Sequence, residues 1–181
     1  MSLIYEQYVP AAYRVPFIAK VKDIASKLGM NPNWLMAIMY WESAHTFSPS
    51  ITNNLGYTGL IQFGSSAAKD LGVTTAQLRS MTAVQQLDYV YLYYKLWFKR
   101  LGITAADSYV STYLITIFPA AVNKPLTFVI QAGSITALKF AVNNPAFDIN
   151  KDKQVTIEEI QTVMLRQLPS EWVKDFVKKK G

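Results

Sequence analysis

Between Lys27 and Lys69 the chain carries one formally charged side chain, Glu42. It stands in the run Trp34-Leu35-Met36-Ala37-Ile38-Met39-Tyr40-Trp41-Glu42-Ser43. At helical spacing Leu35, Ile38, Met39 and Glu42 share one face. Trp34, Met36, Tyr40 and Trp41 cover the other sides, and a helix apolar all round is normally buried. The chain must therefore build a core around this segment. A carboxylate there is costly to ionise, so desolvation is expected to raise its pKa. That is the environment a glycosidase-type general acid requires. Periodicity alone equally allows a plainer case, a helix-end glutamate that bends out to water.

With 51% hydrophobic and 13% aromatic residues in 181, the composition excludes a disordered chain and supports one well-packed domain with a small appendage. The formal charge of +6 favours polyanionic surroundings, whether nucleic acid, anionic membrane or an anionic wall polymer. Its basic residues are scattered apart from Lys178-Lys179-Lys180, and no Arg-rich recognition helix is visible, so a nucleic-acid partner is not expected. The absence of cysteine excludes disulfides and thiolate metal sites. Residues 1–10 lack the pattern of a secretory signal peptide. The charge-free stretch from Tyr109 to Val122 is too short to span a bilayer, so no transmembrane segment is expected.

Organisation along the chain is a succession of helices. Phe17, Ile18, Val21, Ile24, Ala25 and Leu28 form a helical stripe ending at Gly29. Asn31-Pro32 supplies a cap and a first-turn proline for the Glu42 helix. Residues 46–64 read as a long irregular segment with short strands around Gly56 to Phe63. A short helix is expected from Ser65 to Leu71, and another near Thr75. Thr82-Ala83-Val84-Gln85 fits a capping box and opens a long helix with Val84, Leu87, Tyr91, Tyr94, Phe98 and Leu101 on one side, stopped at Gly102. Tyr89, Tyr91, Tyr93 and Tyr94 read as packing on that helix. Further helices are expected over 107–118, 134–143 and up to Leu168, with Ser170 capping a last one that carries Trp172, Val173, Phe176 and Val177 on one side.

After Glu42-Ser43 comes Gly56-Tyr57-Thr58-Gly59-Leu60-Ile61-Gln62-Phe63-Gly64, and later Thr112-Tyr113-Leu114-Ile115-Thr116-Ile117-Phe118-Pro119-Ala120-Ala121. In this order these elements resemble the lytic transglycosylases of the Slt-type lysozyme-like superfamily. That family shows a Glu-Ser pair at a helix end, a Gly-Leu-Met-Gln-Ile type segment and a tyrosine on a later buried helix. The third element resembles a subgroup common in bacteriophage peptidoglycan-degrading proteins. The match covers roughly 31–121. It departs where many members have Ala-Tyr-Asn: leucine follows Tyr113 here, so a substrate contact from that asparagine is not carried over.

The resemblance implies a mainly α, lysozyme-like fold with a small β or irregular cleft segment. Residues 1–145 would form the catalytic domain, with 146–181 packed on it. It also implies cleavage of the MurNAc–GlcNAc β-1,4 bond of peptidoglycan. Glu42 would protonate the leaving oxygen, the substrate's N-acetyl group would stabilise the oxocarbenium-like centre, and the C6 hydroxyl would attack to give a 1,6-anhydro end. Ser43 would bond the acetamido group or orient the carboxylate. Gln62 would hold sugar or the Glu42 carboxylate, and Tyr113 would fix the Glu42 rotamer. Gly56 and Gly59 would admit backbone close to the glycan, and Tyr57 would offer a ring face. His45 reads as a loop residue near the cleft. No cofactor is required for this chemistry. The expected setting is a virion-associated or phage-encoded enzyme acting on the bacterial wall in penetration or lysis, with other virion proteins as candidate partners. Two rivals stand beside it: a hydrolytic lysozyme whose second acid is Asp70, Asp88 or Asp107, and a non-catalytic wall-binding virion module.

Residues 148–159 resemble an EF-hand loop. Asp148, Asn150, Asp152, Thr156 and Glu159 stand at the first, third, fifth, ninth and twelfth places, and Gln154 would give its carbonyl. Lys153 replaces the usual glycine, which burdens the turn with a side chain and a cation. Calcium in a structural role, or a relic loop capping the next helix, are the two readings. A calcium-regulated binding protein is a weaker third idea for the chain as a whole.

Overall fold

A computed structural model describes residues 2–177, so Lys178-Lys179-Lys180 lies outside the described residues. The chain is mainly helical and divides into two compact units, one running to Ala106 and one starting at Asp107. The boundary expected at residue 145 falls inside the second unit.

The first unit contains a 3-10 turn, Glu6–Tyr8, followed by α1 (Arg14–Lys27), α2 (Pro32–Glu42), α3 (Ser65–Asp70), α4 (Thr75–Ser80) and α5 (Ala83–Leu101). Local chemistry sets most of these bounds. Asn31 caps α2 by accepting from the Asn33 amide at 2.9 Å, with Pro32 at the first turn. Thr74 and Thr82 each form a full capping box, with Gln77 and Gln85. Gly29, Gly72 and Gly102 end helices in the left-handed region.

The α2 helix is the centre of this unit. Leu35, Met36, Ala37, Ile38 and Met39 are all buried, and each large apolar side chain among them contributes about 1.5–3 kcal/mol by leaving water. Helix α1 packs on both α2 and α5. The amino-terminal segment is tied to α2 by Ile4 N, which donates to Asn33 Oδ1 at 2.9 Å, and by Tyr5 stacking on Tyr40 at 4.0 Å.

The second unit contains α6 (Tyr109–Ile117), a 3-10 turn at Pro119–Ala121, α7 (Ala137–Asn143), α8 (Ile157–Arg166) and α9 (Ser170–Phe176). Helix α6 packs on that turn and on α8. Tyr109 meets Phe176 edge to face at 4.8 Å. Residues 126–130 run beside 155–158, with Ile130 N donating to Val155 O at 2.8 Å and Glu158 N to Leu126 O at 2.9 Å.

Several expectations need correction. Helix α7 starts at Ala137, not Ser134, because Gly133 at φ 57° and the Ala132–Ile135 bridge make a turn there. Ser170 is the first residue of α9 rather than its cap, and Val177 lies beyond it. Residues 51–63 hold isolated bridges, Thr52–Thr58 and Thr58–Phe63, instead of strands. The buried face of α5 is Ala83, Gln86, Leu87, Val90, Tyr93, Tyr94 and Phe98, so Val84, Tyr91 and Leu101 are only half-covered.

Candidate active site

Glu42 is the last residue of α2 and is half-buried. The chain turns sharply immediately after it. Ala44, His45 and Phe47 all have positive φ, at 49°, 69° and 53°. Non-glycine residues are strained there by order of 1 kcal/mol or more each, and persist only when neighbours hold them. Here the neighbours do: His45 N donates to Tyr40 O at 2.7 Å, Thr46 Oγ1 to Ser43 O at 2.6 Å, and Phe47 N to Ser43 Oγ at 2.8 Å. Phe47 is fully buried against Phe17, with ring centroids 5.6 Å apart.

Ser43 is also fully buried. A side chain with no exposed surface meets no acetamido group, so the role its geometry assigns is to shape the loop that follows Glu42. The exposed His45 ring stacks on Tyr40 at 4.6 Å.

The Gly-Leu-Ile-Gln segment forms a tight turn. Thr58 and Phe63 exchange backbone bonds of 3.0 and 2.7 Å, and Gly59 N donates to Ile51 O at 2.8 Å. Gly59 at φ 81° and Gln62 at φ 53° close the turn. Leu60, Ile61 and Phe63 anchor it in the core, which explains why apolar residues serve at 61 and 63. Gln62 is half-buried, and its Nε2 donates to Gly59 O at 3.2 Å. Tyr57 is 44% exposed and lies across Gly64, where a Cβ would sit 2.8 Å from the ring.

Helix α5 adds a residue that sequence reading took as packing alone. Tyr93 meets Phe63 edge to face at 6.0 Å and accepts a hydrogen bond from Trp97. Burial holds its phenol well above the ordinary tyrosine range; the Trp97 bond and the Arg100 charge oppose this, while the Glu42 carboxylate, and Tyr57 once it has itself ionised, add to it. Tyr93, which touches the 59–63 turn through Phe63, thus lies within electrostatic reach of both Glu42 and Tyr57. Gln86 and Tyr93 stand seven apart on one face of α5, a spacing that marks a shared face but not what that face meets. Arg100 lies over Trp97 at 5.0 Å and pairs with Asp70 at 2.8 Å.

Two of the acids expected as catalytic partners in this unit are engaged elsewhere. Arg100 holds the Asp70 carboxyl below its usual range, and Asp88 pairs with Lys20 at 2.7 Å. Asp107 belongs to the second unit, where its Oδ1 accepts from Ser111 Oγ at 2.7 Å and Ser108 Oγ at 3.0 Å. Tyr113 also belongs to the second unit; it is buried on α6 with its ring 6.0 Å from Phe147.

The 148–159 loop has left-handed residues at its fourth and sixth places, Lys151 at φ 63° and Lys153 at φ 65°. Asp148 Oδ2 accepts from Lys153 N at 3.2 Å, folding the loop over its first residue. Asp148 Oδ1 is buried without a hydrogen-bond partner. Asn150 Oδ1 and Asp152 Oδ1 accept from the Asp152 and Gln154 amides at 2.9 and 2.8 Å. Glu159 is turned to the helix start, its Oε2 accepting from Thr156 N and Oγ1 at 2.9 Å and its Oε1 from Ile149 N at 3.2 Å.

Among the described residues no helix is long and apolar enough to cross a membrane. In comparison with known proteins the chain matches no family model, no curated protein and no solved structure.

Proposed function

We propose that the first unit carries the acid of a peptidoglycan lytic transglycosylase with a lysozyme-like arrangement, and that Glu42 is that acid. The observation behind this reading is that Tyr93, whose ring meets Phe63 of the Gly59–Phe63 turn, lies within electrostatic reach of Glu42. Glu42 is a half-buried carboxyl at a sharp, held turn, and the 57–62 segment offers an exposed aromatic ring at Tyr57 and a half-buried amide at Gln62, groups that a glycan strand needs. Glu42 donates its proton to the glycosidic oxygen as the bond to C1 of MurNAc breaks. The substrate's acetamido oxygen stabilises the cationic C1. The C6 hydroxyl then bonds to C1 and returns its proton to the Glu42 carboxylate, so no water is consumed. The biological setting proposed is a phage-encoded or virion-associated protein that opens the bacterial wall locally.

The test is mass spectrometry of digested sacculi with wild type and Glu42→Gln. Anhydro-MurNAc ends from the wild type, reduced about 10²–10⁴-fold in the variant, are expected. Reducing MurNAc ends would mean a muramidase instead. Equal clearance by both proteins would remove Glu42 as the acid, and clearance by neither would leave a wall-binding module.

The orphaned Asp148 Oδ1 favours a second proposal, that the 148–159 loop takes a calcium ion. Asp148, Asn150, Asp152, the Gln154 carbonyl, Thr156 and Glu159 would hold it. The ion would neutralise the loop's carboxylates and tie down the start of α8. Glu159 would have to release its capping contacts to join.

A further inference from the structure

Gln86 is a fully buried polar residue on the core face of α5, and every polar atom of its side chain is used on backbone. Oε1 accepts from Leu60 N at 2.7 Å, and Nε2 donates to Pro49 O and Leu78 O, both at 2.9 Å. One carboxamide thus ties three separate segments: the loop that follows Glu42, the 59–62 turn and the last turn of α4. Gly59 lies flat on it. A Cβ there would sit 2.3 Å from Oε1 and 2.6 Å from Nε2, so the absence of a side chain at 59 is required by Gln86 as well as by φ 81°. An apolar residue of this length would fill the same volume. What the amide adds is direction, because its bonds fix where the turn sits.

We propose that Gln86 is the positioning residue of the Glu42 site. It locks the 59–62 turn so that Gln62 and Tyr57 present one fixed geometry to a glycan strand. This rests on the glycan reading above, but its test is separable from catalysis.

The probe is chitotetraose, with affinity measured by calorimetry on the full chain. Gln86→Met keeps length and volume and removes all three bonds. Its affinity should fall about tenfold, and turnover on sacculi about 10²-fold, since small misplacements far from the chemistry are amplified. Paired with Gln62→Ala, the losses should be sub-multiplicative, because both act through one turn; a general loss of stability would multiply. Wild-type affinity in Gln86→Met, or losses that multiply, would overturn the proposal, and so would a wild type that does not bind the probe. If Glu42→Gln still clears sacculi, the catalytic reading falls while these affinities still decide on Gln86. Gly59→Ala attacks the same contact from the other side and should reproduce the loss. The unaltered protein gives a third measure: the Leu60 amide should exchange as slowly as the core amides of α5, and fast exchange would show that the tether does not hold.

Discussion

The Ser43 hydroxyl oxygen accepts the Phe47 amide at 2.8 Å, inside a loop where three non-glycine residues hold positive φ. This bond joins the residue after the candidate acid to the buried ring that anchors the turn. It makes Ser43 a brace for the loop that follows Glu42.

Ser43→Ala leaves the Phe47 amide buried without an acceptor. Destabilisation of about 1–3 kcal/mol is expected, read as a lower urea midpoint with an unchanged slope. A midpoint equal to wild type would show that the loop keeps its shape without the brace.

Tyr57 and Gln62 are the ligand-facing groups of the proposed site. Tyr57→Ala should raise the KM for soluble glycan strands about tenfold, roughly 1.4 kcal/mol, with little change in kcat. An effect confined to kcat would move Tyr57 from binding to the chemical step.

Alkali should weaken the fold in a defined direction. Burial holds the Tyr13, Tyr40 and Tyr93 phenols above their ordinary 10.0. In the unfolded chain they lose protons near that value while the folded protein keeps them. Their contribution to stability is therefore constant below about pH 10 and falls as pH rises above it. Thermal melts across that range should show the fall, with a shallower slope in Tyr93→Phe. Identical slopes would remove Tyr93 from the set.

Calcium should raise the melting temperature if it binds the 148–159 loop. At a hundredfold excess over its Kd the stabilisation is about 2.7 kcal/mol. Asp148→Asn, which weakens the donor with the orphaned oxygen, should lose most of that shift. A melt indifferent to calcium and chelator would leave the loop a helix cap, which its Thr156–Glu159 capping box already makes it.

Helix bounds were legible where a local rule sets them. Asn31, Thr82 and Gly102 each satisfy or stop a helix end through their own side chain or lack of one, and each does so in the structure. Ser134 does not open α7, because a turn one residue earlier, at Gly133, moves the start of the helix to Ala137.

The chain's pattern by itself determined that a nearly uncharged helix would end in one carboxylate, since spacing and charge are properties of neighbours along the sequence. Which side chains gather around that carboxylate was decided only by tertiary structure. Gln86 and Tyr93 look like ordinary helix residues until the 59–63 turn is laid against α5, and Ser43 looks like a ligand group until Phe47 closes over it. Hydrogen bonds and desolvation depend on which distant segments meet in space, and periodicity carries no information about that meeting.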